Sequence, residues 1–170
     1  MKLFTFIIVA LIGSISFGQL AIGIPNVTNN SVILEFGNDG NKGLILPYTE
    51  AEIANAPNGT FIFDTSVNRV KVRIANNWVD LSNQNGASNL ADQNVHTENS
   101  ESGIVIGANT SNADGVLVLD ATDQAMVLPI VDNFTDIVNP SPGMIVYVRT
   151  NKRLAVFNGT KWTFWKSANQ

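Results

Sequence analysis

Few side chains in this 170-residue chain have types and spacings suited to chemistry. His96 is its only histidine and lies in a polar stretch. A Ser-His-Asp triad would have to use it, but no Gly-x-Ser-x-Gly nucleophile elbow accompanies it, so His96 reads as a solvated loop residue. With one histidine and no cysteine, a zinc site would need carboxylates almost alone, which zinc rarely accepts. Asn38-Asp39-Gly40-Asn41 gathers oxygen ligands around a glycine, yet lacks the spaced acids and closing glutamate of a calcium loop, and reads as a β-turn. Asp120 and Asp123 lie three apart and Asp132 and Asp136 four apart, spacings that pair carboxylates on a helix face. A glycosidase needs two such groups flanking its bond. Neither pair sits in a helical pattern, so both read as surface acids. The expectation is a chain that is not an enzyme and holds no metal or cofactor.

The tryptophans are the better candidates. Trp78, Trp162 and Trp165, the last two flanking Phe164, could stack on a sugar ring as a glycan-contact platform. The alternative is that they pack across strand pairs, filling the core or a seam between copies. They are therefore the candidate ligand or interface residues. Arg69, Lys71 and Arg73 alternate with Val70, Val72 and Ile74, so one strand carries a basic strip, read first as a solvated face and second as a contact for an acidic partner.

The elements that must position these residues occur twice. Residues Ala21 to Ser82 return 84 positions later as Val105 to Lys166, with Gly59 matched by Gly143, Arg69 by Arg153 and Trp78 by Trp162. Only the middle slips, where Leu46-Pro47 returns as Leu128-Pro129, 82 positions on. Duplicated modules of this kind build surfaces more often than active sites. The division is a leader at 1–18, a first β-rich module at 19–82, a polar linker or loop at 83–103 and a second module at 104–170. Each module should hold short apolar strands, a strand stopped by Pro47 or Pro129, a brief helical turn, and a three-strand meander. Thr49-Glu50-Ala51-Glu52-Ile53, with a Thr N-cap and early acids, carries the stronger helix signal. Asn133-Phe134-Thr135-Asp136-Ile137 carries the weaker. Turns are expected at Asn76-Asn77 and at Asn158-Gly159, the latter a favoured pair for a tight hairpin. The fold class is mainly β, with two homologous units packed on each other or in a trimer.

The first residues, with Lys2, an apolar run from Leu3 to Ile12 and the small residues Ser16 and Gly18, predict a secretory signal peptide cleaved after Gly18. The run is too short for a membrane span of about 20 apolar residues, and the chain is not expected to span a membrane. Loss of Lys2 takes the net charge from -4 to about -5. No basic cluster marks a nucleic-acid partner. An exported unit of roughly 60 residues without disulfides buries a modest share of its surface, and such scaffolds commonly lean on oligomerisation.

These residues also support a resemblance. Lys42-Gly43-Leu44-Ile45-Leu46-Pro47, then Ile137-Val138-Asn139-Pro140 with Gly143-Met144-Ile145-Val146-Tyr147, and a hairpin closing on Asn158-Gly159-Thr160-Lys161-Trp162, resemble a repeat of phage tail-fibre-type proteins. The same repeat occurs in exported surface proteins of Bacteroidetes, especially flavobacteria. Module one departs at Ala75-Asn76-Asn77-Trp78, where the family shows Asn-Gly-Thr-x-Trp. The resemblance covers most of the chain after the leader and implies a fibre-like module, trimeric in relatives. It also implies display at the cell surface, outside the cell or in the periplasm, with other surface or outer-membrane proteins as partners. Such modules accompany surface adhesins and gliding machinery. No C-terminal sorting domain of the flavobacterial type is recognisable.

Overall fold

The computed structural model describes residues 18–38, 40–90 and 103–165. His96, Asp39 and positions 1–17 of the expected signal peptide lie outside the described residues. The described chain is almost wholly β, as the alternating and short apolar runs predict. Its strands are β1 (Leu20–Ile22), β2 (Val32–Phe36), β3 (Leu44–Ile45), β4 (Tyr48–Thr49), β5 (Phe61–Asp64), β6 (Arg69–Ile74) and β7 (Asn77–Asp80), then β8 (Ile104–Ile106), β9 (Leu117–Leu119), β10 (Ala125–Val127), β11 (Ile130–Val131), β12 (Met144–Val148), β13 (Arg153–Phe157) and β14 (Trp162–Trp165). Every strand of the first repeat returns in the second, β1 as β8 through β7 as β14.

The repeats interlock. β10 of the second repeat pairs parallel with β2 of the first, beside β1. In return β3 of the first repeat pairs antiparallel with β12 of the second, Ile45 opposite Met144 and Leu44 opposite Ile145. The meanders β5-β6-β7 and β12-β13-β14 form as expected. One core is consequently shared: Leu46, Phe63, Val70, Val72 and Leu81 pack with Ile145 and Val156. A second core, around Val131, Val146, Val148 and Ala155, belongs to the second repeat alone. A third joins Ile33 and Leu34 to Ile106 across the repeats.

Three local expectations are corrected. The stronger helix signal forms no helix: Thr49 ends β4, and its carbonyl accepts from the N–H (2.8 Å) and hydroxyl (2.9 Å) of Thr65. That strand-edge commitment outweighs a weak N-cap propensity. The weaker signal gives a 3-10 turn at Phe134–Asp136, where the Asp136 carboxylate accepts from the Asn133 N–H at 3.1 Å. The hairpin turns also differ. Ile74 sits opposite Asn77, so the first turn is Ala75-Asn76, both at positive φ (48° and 63°). Phe157 sits opposite Trp162, so the second is a four-residue loop. Asn158 is buried at its head, and its side-chain oxygen accepts from Thr160 and Lys161 N–H groups at 3.0 and 2.8 Å. That local side-chain bonding displaces the two-residue turn.

The residues after β7 press on this loop. Ala87 N–H donates to Asn158 O at 3.0 Å, the Asn158 amide donates to Gln84 O at 3.0 Å, and a Cβ on Gly86 would collide with the Asn158 carbonyl.

Candidate functional site

The three tryptophans sit on a meander strand of each repeat, half-buried, and do not form one platform. Trp162 and Trp165 are three residues apart on β14 and so face opposite sides. Trp165 packs on the shared core, and its indole N–H donates to Leu81 O at 2.6 Å. Leu81 is the repeat-one counterpart of Trp165. Trp162 packs on the second core with ring centroids 5.2 Å from Phe157 and 6.1 Å from Phe134. Trp78 lies under Arg73, whose guanidinium carbon is 5.7 Å from the ring centroid. Its indole nitrogen and the Arg73 Nε are buried without a partner.

The basic strip is not solvated. Arg69 donates to Asp80 at 2.6 Å and to the Asn85 side chain at 2.7 and 3.0 Å. Lys71 Nζ stands between Asp64 and Glu52, 2.7 Å from each. Asp64 is buried and also accepts from Ser66 N–H and Oγ. Burial alone would raise the Asp64 carboxyl, but hydrogen bonds from Lys71 and Ser66 and the lysine charge outweigh it, so its pKa falls below the ordinary value. Burial likewise pulls Lys71 down, yet bonds to Asp64 and Glu52 carry its pKa above the ordinary value. Sequence reasoning missed this trio. The available signal was a mismatch between repeats: Asp64 and Lys71 correspond to Val148 and Ala155, both fully buried.

The other candidates hold structural posts. Asp132 pairs with Arg149 at 2.6 Å, and Asp136 caps the 3-10 turn. A polar hollow of about 310 Å³ is lined by Gln19, Asn30, Asp123 and Gln124. There the amides of Gln19 and Gln124 both donate to Asn30 O, at 3.0 and 2.9 Å. No group of three or more metal-ligating side chains occurs among the described residues, nor any helix long and apolar enough to cross a membrane.

The largest contrast between repeats is in exposure. Val32 and Ile33 on β2 are 6% and 1% exposed, whereas their counterparts Val116 and Leu117 are 64% and 42% exposed. The difference lies in what covers them. β2 has β1 on one edge and β10 on the other, while β9 pairs with β8 alone. Ile104, on β8 beside β9, and Ile45, on β3 in the sheet of β12, are also large exposed apolar residues.

Residues 105–170 match a family model described as "Phage tail like trimerisation region". This part of the chain is similar to such regions, and the first repeat has the same strand order. No curated protein and no solved structure matches the chain.

Proposed function

We propose that the chain is a non-enzymatic, fibre-like structural module that self-associates as a trimer in an exported surface assembly. The observation that carries this reading is the uncovered β9 strand, whose counterpart in the first repeat is sealed. Full burial of a valine or leucine stabilises by roughly 1.5–3 kcal/mol, of which covering the half-exposed Val116 and Leu117 would yield about half each, and exposed apolar strand edges are sites of further strand pairing. The similarity of residues 105–170 to a trimerisation region supports three copies. Among the described residues the buried ions and capped acids are engaged in holding the fold.

The apolar leader pattern supports a location outside the cytoplasm, at the surface or in the periplasm. An accessory role beside an adhesin or gliding-type machine of a flavobacterium accords with the repeat resemblance. Glycan binding through the tryptophans has less support, because Trp162 and Trp165 pack on two different cores and face opposite sides, and Arg73 lies over the Trp78 ring.

Light scattering on residues 19–170 tests the assembly. Three times the chain mass is expected, and a stable monomer at micromolar concentration refutes it. Pull-down from an outer-membrane extract tests the surface partners, and recovery of none removes that part.

A further inference from the structure

The strand pairing inside the chain specifies the partner of its open edges. The third strand of each repeat has two neighbours to satisfy, one in the preceding repeat and one in the following repeat. β10 pairs with β2 of the preceding repeat, and β3 pairs with β12 of the following one. Each finds one neighbour and lacks the other: among the described strands, β10 has none like β12, and β3 has none like β2. The missing partners exist at the opposite ends of the same molecule. β9 is the counterpart of β2, and β5 is the counterpart of β12.

We infer that copies of the chain join head to tail, with β3 of one copy adding to β9 of the next and β10 of that next copy adding to β5 of the first. Carrying the internal registers over by the repeat offset gives the contacts. Ala125↔Val32, Met126↔Leu34 and Val127↔Glu35 become Gly43↔Val116, Leu44↔Val118 and Ile45↔Leu119 between copies. Met144↔Ile45 and Ile145↔Leu44 become Thr60↔Val127 and Phe61↔Met126. The junction repeats the internal one, and it is heterologous. A heterologous contact that closes after three copies forms a ring, which is the trimer proposed above. It covers the exposed residues that distinguish one repeat from the other: Val116 and Leu117 at one end, Ile45 at the other.

Side-chain size eases one of the two close contacts. Inside the chain, a Cβ at Gly43 would lie 2.5 Å from Met144 Cγ and 2.7 Å from Val146 Cγ1, so only glycine fits there. The counterpart of Gly43 is Ala125, which does carry a Cβ, and it would face Thr60 in place of Met144 and Ile62 in place of Val146. Thr60 is the shorter side chain, and its hydroxyl is turned to Pro57 O at 2.8 Å.

This inference rests on the self-association proposed above and adds its geometry. The chain contains no cysteine, so each engineered thiol is the only one present. Facing residues of antiparallel strands place Cβ atoms about 4.5–5.5 Å apart, close enough for a disulfide after small adjustment. Thr60→Cys and Val127→Cys chains, differently tagged, are expressed separately and together, oxidised and run on non-reducing gels, with light scattering in parallel. Phe61→Cys with Met126→Cys, the other facing pair of the antiparallel contact, provides a second pair should one variant misfold. A covalent dimer is expected when partners are combined and none from either variant alone. Cross-linking of a single variant to itself overturns the inference, since it requires like strands to meet. An oligomer without cross-linking in either pair overturns this junction while leaving self-association standing. A monomer by light scattering overturns both.

Discussion

Lys71 and Asp64 offer the sharpest test of how one fold tolerates two chemistries, because the second repeat carries valine and alanine at the same posts. Consider Lys71→Met, which keeps the stem and deletes the ammonium. Asp64 then keeps only its Ser66 bonds, with its side chain 3% exposed and its ion-pair partner removed. Removing one partner of a buried ion pair costs about 3–5 kcal/mol. The cost of Asp64→Val should be less, about 1–3 kcal/mol, because Lys71 retains Glu52 at 2.7 Å at a more exposed edge. With both changes no charge is left buried, and replacement by packed apolar groups is often neutral or stabilising. The double variant should therefore lie within about 1 kcal/mol of wild type, a coupling of roughly 3 kcal/mol or more. Methionine rather than alanine is chosen because it keeps a stem of similar length on a side chain that is 13% exposed. Urea unfolding of all four proteins at pH 7 reads the result. A Lys71→Met cost under about 1 kcal/mol, or additive single costs, would refute the reasoning.

The same pair sets a pH window. The lowered Asp64 contributes stability above its unfolded pKa near 3.9, lost as pH falls through its lower folded pKa. The raised Lys71 contributes stability below about 10.4, lost as pH rises through its higher folded pKa. Unfolding midpoints from pH 2 to 12 should fall less steeply at both ends in the double variant, and parallel curves would count against it. Ala75→Gly relieves an alanine at φ 48°, so it should stabilise by about 1 kcal/mol in thermal melts. Trp165→Phe removes the 2.6 Å bond to Leu81 O and leaves that carbonyl short of a donor, a loss of about 1–3 kcal/mol. Unchanged stability would mean that this bond does not clamp the repeats.

What was legible in the sequence follows period and punctuation. The alternation Val70, Val72 placed the middle meander strand, and Pro47 and Pro129 stopped theirs, because these signals act within a few residues. What was illegible depends on distant partners. Thr49 begins a plausible helix until Thr65 claims its carbonyl, sixteen residues away. Lys71 looks solvated until Asp64 and Glu52 converge on it from two other segments. Asn158-Gly159 suggests a two-residue turn until the asparagine side chain takes up the backbone N–H groups of Thr160 and Lys161. The alignment of the two repeats gave strand positions but not which strand of one repeat would pair with the other.

That cross-pairing is where the duplication acquires a physical purpose. A single unit of this type would leave its second strand unpaired at one edge and its third strand without a partner at either, and unpaired apolar edges are costly in water. Placing two units in one chain seals β2 with β10 and β12 with β3, leaving one unsealed edge set at each end rather than one set per unit. The two ends carry counterparts of the surfaces that pair inside the chain, which is why a second copy is the partner inferred above. The exposed Val116 beside the buried Val32 is the trace of that requirement within one molecule.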